Sequence, residues 1–173
     1  MAGCGGNGPP SLPEGASWVF TTAGSTTGGL GGTPAANAIC QAEATGAGLE
    51  GTFYAWITTS AVPADENIAG LGPWYLANTE QLAFADRDVF QDGPAVPLDV
   101  GPTGVPVSTD VTSVWTGADP TGAGSAFGSC RDWTREDDES RAGVGATFAT
   151  DAGWTDQAEA GCDTVARLFC FGS

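Results

Sequence analysis

The chain has 173 residues, with 21 acidic residues against five arginines, no lysine and no histidine, for a net charge of −16. That length suits one domain, and six tryptophans, two tyrosines and eight phenylalanines supply a core for it. The charge excludes a basic groove for nucleic acid and disfavours heparin-like polyanions and anionic lipid surfaces. The missing histidine and lysine exclude Ser-His-Asp, Cys-His and Ser-Lys catalysis and remove zinc's commonest ligand.

Residues 1–17 read as a flexible tether, rich in Gly and Pro and without periodicity. Within it, Ala2-Gly3-Cys4-Gly5 looks like the end of a bacterial lipoprotein signal, so Cys4 is a candidate for lipidation. This also accounts for an odd fifth cysteine in an exported chain. Residues 17–22 (Ser-Trp-Val-Phe-Thr-Thr) have the content of a strand. After a Gly-rich turn, Thr33-Pro34 predicts a helix start, with Thr33 capping and Pro34 at the first helical position. Ala36, Ile39, Cys40, Glu43, Ala44 and Ala47 fall at helical spacing, all but Glu43 apolar or thiol, and Gly46 and Gly48 end the helix. Cys40 on the buried face suits a disulfide better than a reactive thiol.

Residues 52–59 predict a strand covered on both sides, with Phe53, Ala55 and Ile57 facing one way and Tyr54 and Trp56 the other. Short strands are expected at residues 74–76, 82–90 and 112–116. Pro94, Pro97, Pro102 and Pro106 make the stretch between the last two loop-dominated. No internal repeat and no second domain are visible.

Three features invite a site. Asp86, Asp88 and Asp92 lie close enough in sequence to offer oxygens to calcium, although their spacing matches no calcium loop. The acidic run Glu136-Asp137-Asp138-Glu139, flanked by Arg135 and Arg141, reads as a solvated loop. Trp115, Trp133 and Trp154 could stack sugars, but large aromatics beside cysteines are more often core.

Ala47-Gly48-Leu49-Glu50-Gly51-Thr52-Phe53-Tyr54-Ala55-Trp56 resembles an ordered motif of endostatin domains, a branch of the C-type lectin-like fold. Phe84-Ala85-Asp86-Arg87-Asp88-Val89, Val114-Trp115-Thr116-Gly117, Cys130 with Trp133, Cys162 and Leu168-Phe169-Cys170 are similar to later stretches in the same order. The opening Trp18-Val19-Phe20-Thr21-Thr22 and Gly29-Leu30-Gly31-Gly32 are closer to bacterial endostatin-like surface lipoproteins, best known from spirochaetes. Four cysteines allow three pairings. The resemblance implies the nested one, Cys40–Cys170 outside and Cys130–Cys162 inside, and hence an oxidising compartment. It does not bring endostatin's zinc or heparin sites, because this chain has no histidine and few arginines. The calcium-dependent sugar-binding tripeptides of lectins are also absent.

The expected protein is therefore α+β, of the endostatin-like and C-type lectin-like fold. It has mixed, mostly antiparallel sheets, one main helix, many loops and two disulfides. Residues 1–17 are the tether and 18–173 the domain. The expected function is non-catalytic, adhesin-like recognition of an extracellular protein or glycan. The setting is an exported lipoprotein in the cell envelope, facing outward from the outer membrane and held by Cys4, with no cofactor. The alternatives are a structural envelope protein without a soluble ligand and a carbohydrate-active enzyme using paired carboxylates.

Overall fold

In the computed structural model, which describes residues 10–173, β1 (Ser17–Thr21) lies at the centre of a five-stranded sheet. The main helix, α1 (Thr33–Gly46), follows it, then β2 (Phe53–Ala55), a one-turn helix α2 (Ala64–Asn67), β3 (Trp74–Leu76) and β4 (Leu82–Phe84). β5 (Ser113–Trp115), β6 (Arg141–Ala146) and β7 (Ala158–Gly161) form a second sheet, and β8 (Phe169–Gly172) returns to the first. The first sheet runs β2-β8-β1-β3-β4, parallel between β1 and β3 and antiparallel elsewhere. The second is antiparallel throughout. The class is α+β with one main helix and two disulfides.

Strand alternation places the two cores. Trp18 and Phe20 of β1, and Phe53, Ala55 and Ile57 of the β2 region, face α1. Val19, Trp56, Phe169 and Phe171 face the other way. β2 as a strand is shorter than residues 52–59, because its pairing with β8 ends at Ala55. The chain nonetheless continues extended, with Trp56 N–H donating to Phe169 O (2.9 Å) and Thr58 N–H to Thr116 O (2.9 Å).

β2 is an edge strand, and α1 covers it. Asn37 Oδ1 accepts from Ala55 N–H (2.9 Å) and Gln41 Oε1 from Phe53 N–H (2.9 Å). An i,i+4 pair on a helix thus matches an i,i+2 pair on a strand, and the edge is closed to another chain.

The two sheets are tied through Arg167, which lies between β5 and β8. Its backbone exchanges hydrogen bonds with Ser113 O (3.0 Å) and Trp115 N–H (2.9 Å). Its buried guanidinium donates to the carbonyls of Val111, Thr22, Ala23 and Ser108, and Asp110 sits 3.5 Å away. Those acceptors are what make burial of the charge tolerable.

Several expectations are corrected. The helix cap is Gly32, not Thr33. Thr33 is already helical, and its hydroxyl is buried without a partner. The strand expected over 82–90 stops at Phe84, after which Asp88–Gln91 forms a 3₁₀ turn that brings Phe90 into the aromatic core. Of the expected tether, residues 10–16 are described, and Leu12 packs half-buried against the α1-side core. Cys4 lies outside the described residues. Among the described residues no helix is long and apolar enough to cross a membrane.

Candidate functional site

The chain enters β1 and leaves β8 at the same end of the central sheet. Ser17 N–H bonds Pro73 O (2.9 Å) there, and Ser173 N–H bonds Thr52 O (3.0 Å). β2 then carries the chain to the opposite end, where residues 58–60 emerge beside the loops that follow β5. Gly31 N–H, donating to Trp133 O (2.8 Å), brings the approach to α1 to this end as well.

Here the loops enclose a cleft of about 180 Å³, lined by residues 58–60 on one side and by Gly124, Ser125, Gly128 and Ser129 on the other. Gly117 and Asp132 also line it. Asp132 is placed by an uncommon piece of backbone. Cys130, Arg131, Asp132 and Trp133 all have positive φ, at 52°, 51°, 57° and 63°. They form a left-handed turn in which Trp133 N–H donates to Ser129 O (2.8 Å) and Thr134 N–H to Cys130 O (3.1 Å). Left-handed geometry costs L-residues roughly 1–2 kcal/mol each, and two anchors hold it. Cys130 is bonded to Cys162 (S–S 2.06 Å), and Trp133 is fully buried with its indole N–H on Thr58 O (3.0 Å). Gly28 backs the bridge, since a Cβ there would stand 2.3 Å from Cys130 Sγ.

Between those anchors the turn holds Asp132 against the opposite wall. Its carboxylate accepts from Ser60 N–H (2.7 Å), from the Ser60 hydroxyl and from Ser129 Oγ (3.4 Å). The Ser60 hydroxyl and amide, then Ser129, hold its pKa below the usual carboxylate range, so the cleft carries a fixed negative charge. No family model matches this chain, and no curated protein matches it.

The other disulfide, Cys40–Cys170 (S–S 2.01 Å), joins α1 to β8, so the inner bridge lies within the span of the outer one. The structure does not bring the calcium candidates together. Asp86, Asp88 and Asp92 are exposed around the 3₁₀ turn, and Asp86 Oδ1 is occupied by Asp88 N–H (2.9 Å). Arg87 between them folds back onto the carbonyls of Asp65, Ile68 and Gly70. Among the described residues no three acids, thiols or imidazoles converge to hold a metal.

Trp115, Trp133 and Trp154 are all fully buried, so none offers a face for sugar stacking. Their indole N–H groups donate to Thr26 O (2.8 Å), Thr58 O (3.0 Å) and Phe90 O (2.9 Å). The 136–139 run is an outer loop. Asp137 accepts from Ser140 N–H (2.7 Å), which holds its pKa down, and Glu136 accepts from the Thr27 hydroxyl (3.1 Å).

Ser60 and Asp132 were not legible as a site in the sequence. They lie 72 residues apart, and neither stands in a motif that points to the other.

Proposed function

We propose that this protein is a non-catalytic recognition module of the cell envelope, and that the cleft between residues 58–60 and 124–132 is where it meets its ligand. The observation that carries this reading is polarity. The chain enters and leaves the central sheet at one end, while the loop cleft lies at the other. A domain tethered through its N-terminal side would hold that cleft away from the membrane.

The finer fold assignment, endostatin-like within the C-type lectin-like class, belongs to the same proposal. It draws support from the ordered motifs and from two nested disulfides in one loop-rich domain. Export, an outer-membrane position and a lipid on Cys4 follow from this reading and from the small residues that precede Cys4.

The test is a binding screen of the purified protein against glycans and extracellular-matrix proteins, in physiological and molar salt, with calcium or with chelator. Saturable binding that survives both salt and chelator is expected. Silence across the panel would overturn the recognition reading in favour of a structural envelope role.

A further inference from the structure

The cleft's hydrogen-bond polarity narrows its ligand further. Every hydroxyl that lines it already spends its proton inside the protein. Thr58 Oγ1 donates to Gly122 O (2.8 Å), Thr59 Oγ1 to Val62 O (3.4 Å) and Ser125 Oγ to Asp156 Oδ1 (2.9 Å). The hydroxyls of Ser60 and Ser129 both donate to Asp132. The amides of Thr58, Thr59, Ser60, Gly117, Ser125, Gly128 and Asp132 are likewise committed to protein acceptors. Of the lining residues, only Gly124 and Ser129 have an amide without a protein acceptor, so a ligand meets chiefly lone pairs and one carboxylate charge.

A sugar hydroxyl or a peptide backbone both donates and accepts, and would find few donors here. An anion would find at most the amides of Gly124 and Ser129, beside the like charge of Asp132. The complementary group carries donors only and a positive charge: an ammonium with three N–H bonds or a guanidinium with five. Nothing on the protein supplies that charge itself. Arg87 and Arg167 are spent on backbone carbonyls, Arg141 sits 3.6 Å from Glu159, and the exposed Arg131 and Arg135 do not line the cleft. The net charge of −16 would steer a cation toward the molecule. A bare metal ion fits less well, because only one carboxylate lines a space of about 180 Å³.

We propose that this cleft binds an organic cation, the ammonium or guanidinium end of a basic side chain or of a polyamine. The proposal rests on the recognition reading for its biological sense, but its chemistry is tested separately. Arginine amide, spermidine, calcium chloride and N-acetylglucosamine are each titrated calorimetrically into the full chain, in low and in molar NaCl.

Saturable binding of arginine amide or spermidine is expected, weakened by about tenfold or more in Asp132→Asn, which removes a charged hydrogen-bond partner. Because Asp132 also staples the 58–60 loop, a second variant leaves it untouched. Gly124→Lys fills the cleft with its own ammonium, at a position where an added Cβ meets nothing closer than Thr58 Cγ2 at 3.9 Å. Loss of cation binding in Gly124→Lys, with an unchanged melting temperature, supports the assignment.

Cation binding that is equal in wild type and both variants would overturn it, as mere decoration of an acidic surface. So would tighter binding of calcium alone, or binding of N-acetylglucosamine in place of the cations. Cation binding beside a silent glycan and matrix panel would sink the recognition reading and keep this one. The reverse pattern would sink only the cation chemistry.

Discussion

The two faces of the central sheet are built by different means. On the α1 side lie all four bridged cysteines, together with the small helix residues Ala36 and Ala44 and the buried Trp115–Trp133 pair. On the far side lies an aromatic cluster with no cysteine. Trp56, Trp74, Phe84, Phe90, Trp154 and Phe171 interlock there with ring centroids 4.9 to 6.3 Å apart. The helix side must also hold down long loops and a left-handed turn, and α1 itself buries only Ala36, Cys40 and Ala44 against the rings of Trp18, Phe20 and Phe53. Covalent closure adds to the packing there. The aromatic side needs no such help, since each large ring buries enough area to hold its own segment.

Breaking the bridges should therefore have the largest effect. In the loop-entropy model the 130-residue separation of Cys40 and Cys170 contributes about 5 kcal/mol and the 32-residue separation of the inner pair about 4 kcal/mol. Those figures are comparable with the total stability of a domain this size. Cys40→Ala with Cys170→Ala should leave the chain largely unfolded at ambient temperature by circular dichroism. A cooperative melt close to wild type would show that the helix side is held by packing after all.

Trp154→Ala should come next. It removes a fully buried indole and its bond to Phe90 O, at a cost of about 3–5 kcal/mol. Urea unfolding at neutral pH reads this directly. If it exceeds the loss from the outer bridge, the ranking of the two faces inverts.

The smallest effect is electrostatic and lies in the cleft. The folded pKa of Asp132 is depressed, so its contribution is complete above the ordinary carboxylate range and is lost as pH falls through the lower folded value. Thermal melts from neutral to strongly acid pH should show wild type losing more stability than Asp132→Asn, which has no proton to take up. Parallel curves would mean that the Ser60–Asp132 contact does not persist in solution.

Legibility in the sequence followed the same division. β1, α1, β3 and the alternation of Phe53, Ala55 and Ile57 against Tyr54 and Trp56 could be read off, because their buried side chains are periodic and, in the strands, mostly large. β6 and β7 could not. Their Ala-Gly-Val-Gly and Ala-Glu-Ala-Gly stretches have little strand propensity, and Gly145 is there because a Cβ would stand 1.9 Å from Trp154 O. The 3₁₀ turn after β4 was masked by Val89 and Phe90, which look like strand until the chain turns Phe90 into the aromatic cluster.

By itself, then, the sequence determined the chemistry that this protein cannot perform, the strands and helix whose burial is periodic, and a set of cysteines suited to bridging. Those properties are local or compositional, so they survive without coordinates. Only the tertiary structure decided that the tryptophans are core, that the Asp86 to Asp92 acids stay apart, and that Ser60 meets Asp132 across a cleft. Each of these depends on contacts between distant parts of the chain, and on a left-handed turn that no residue in it would choose alone.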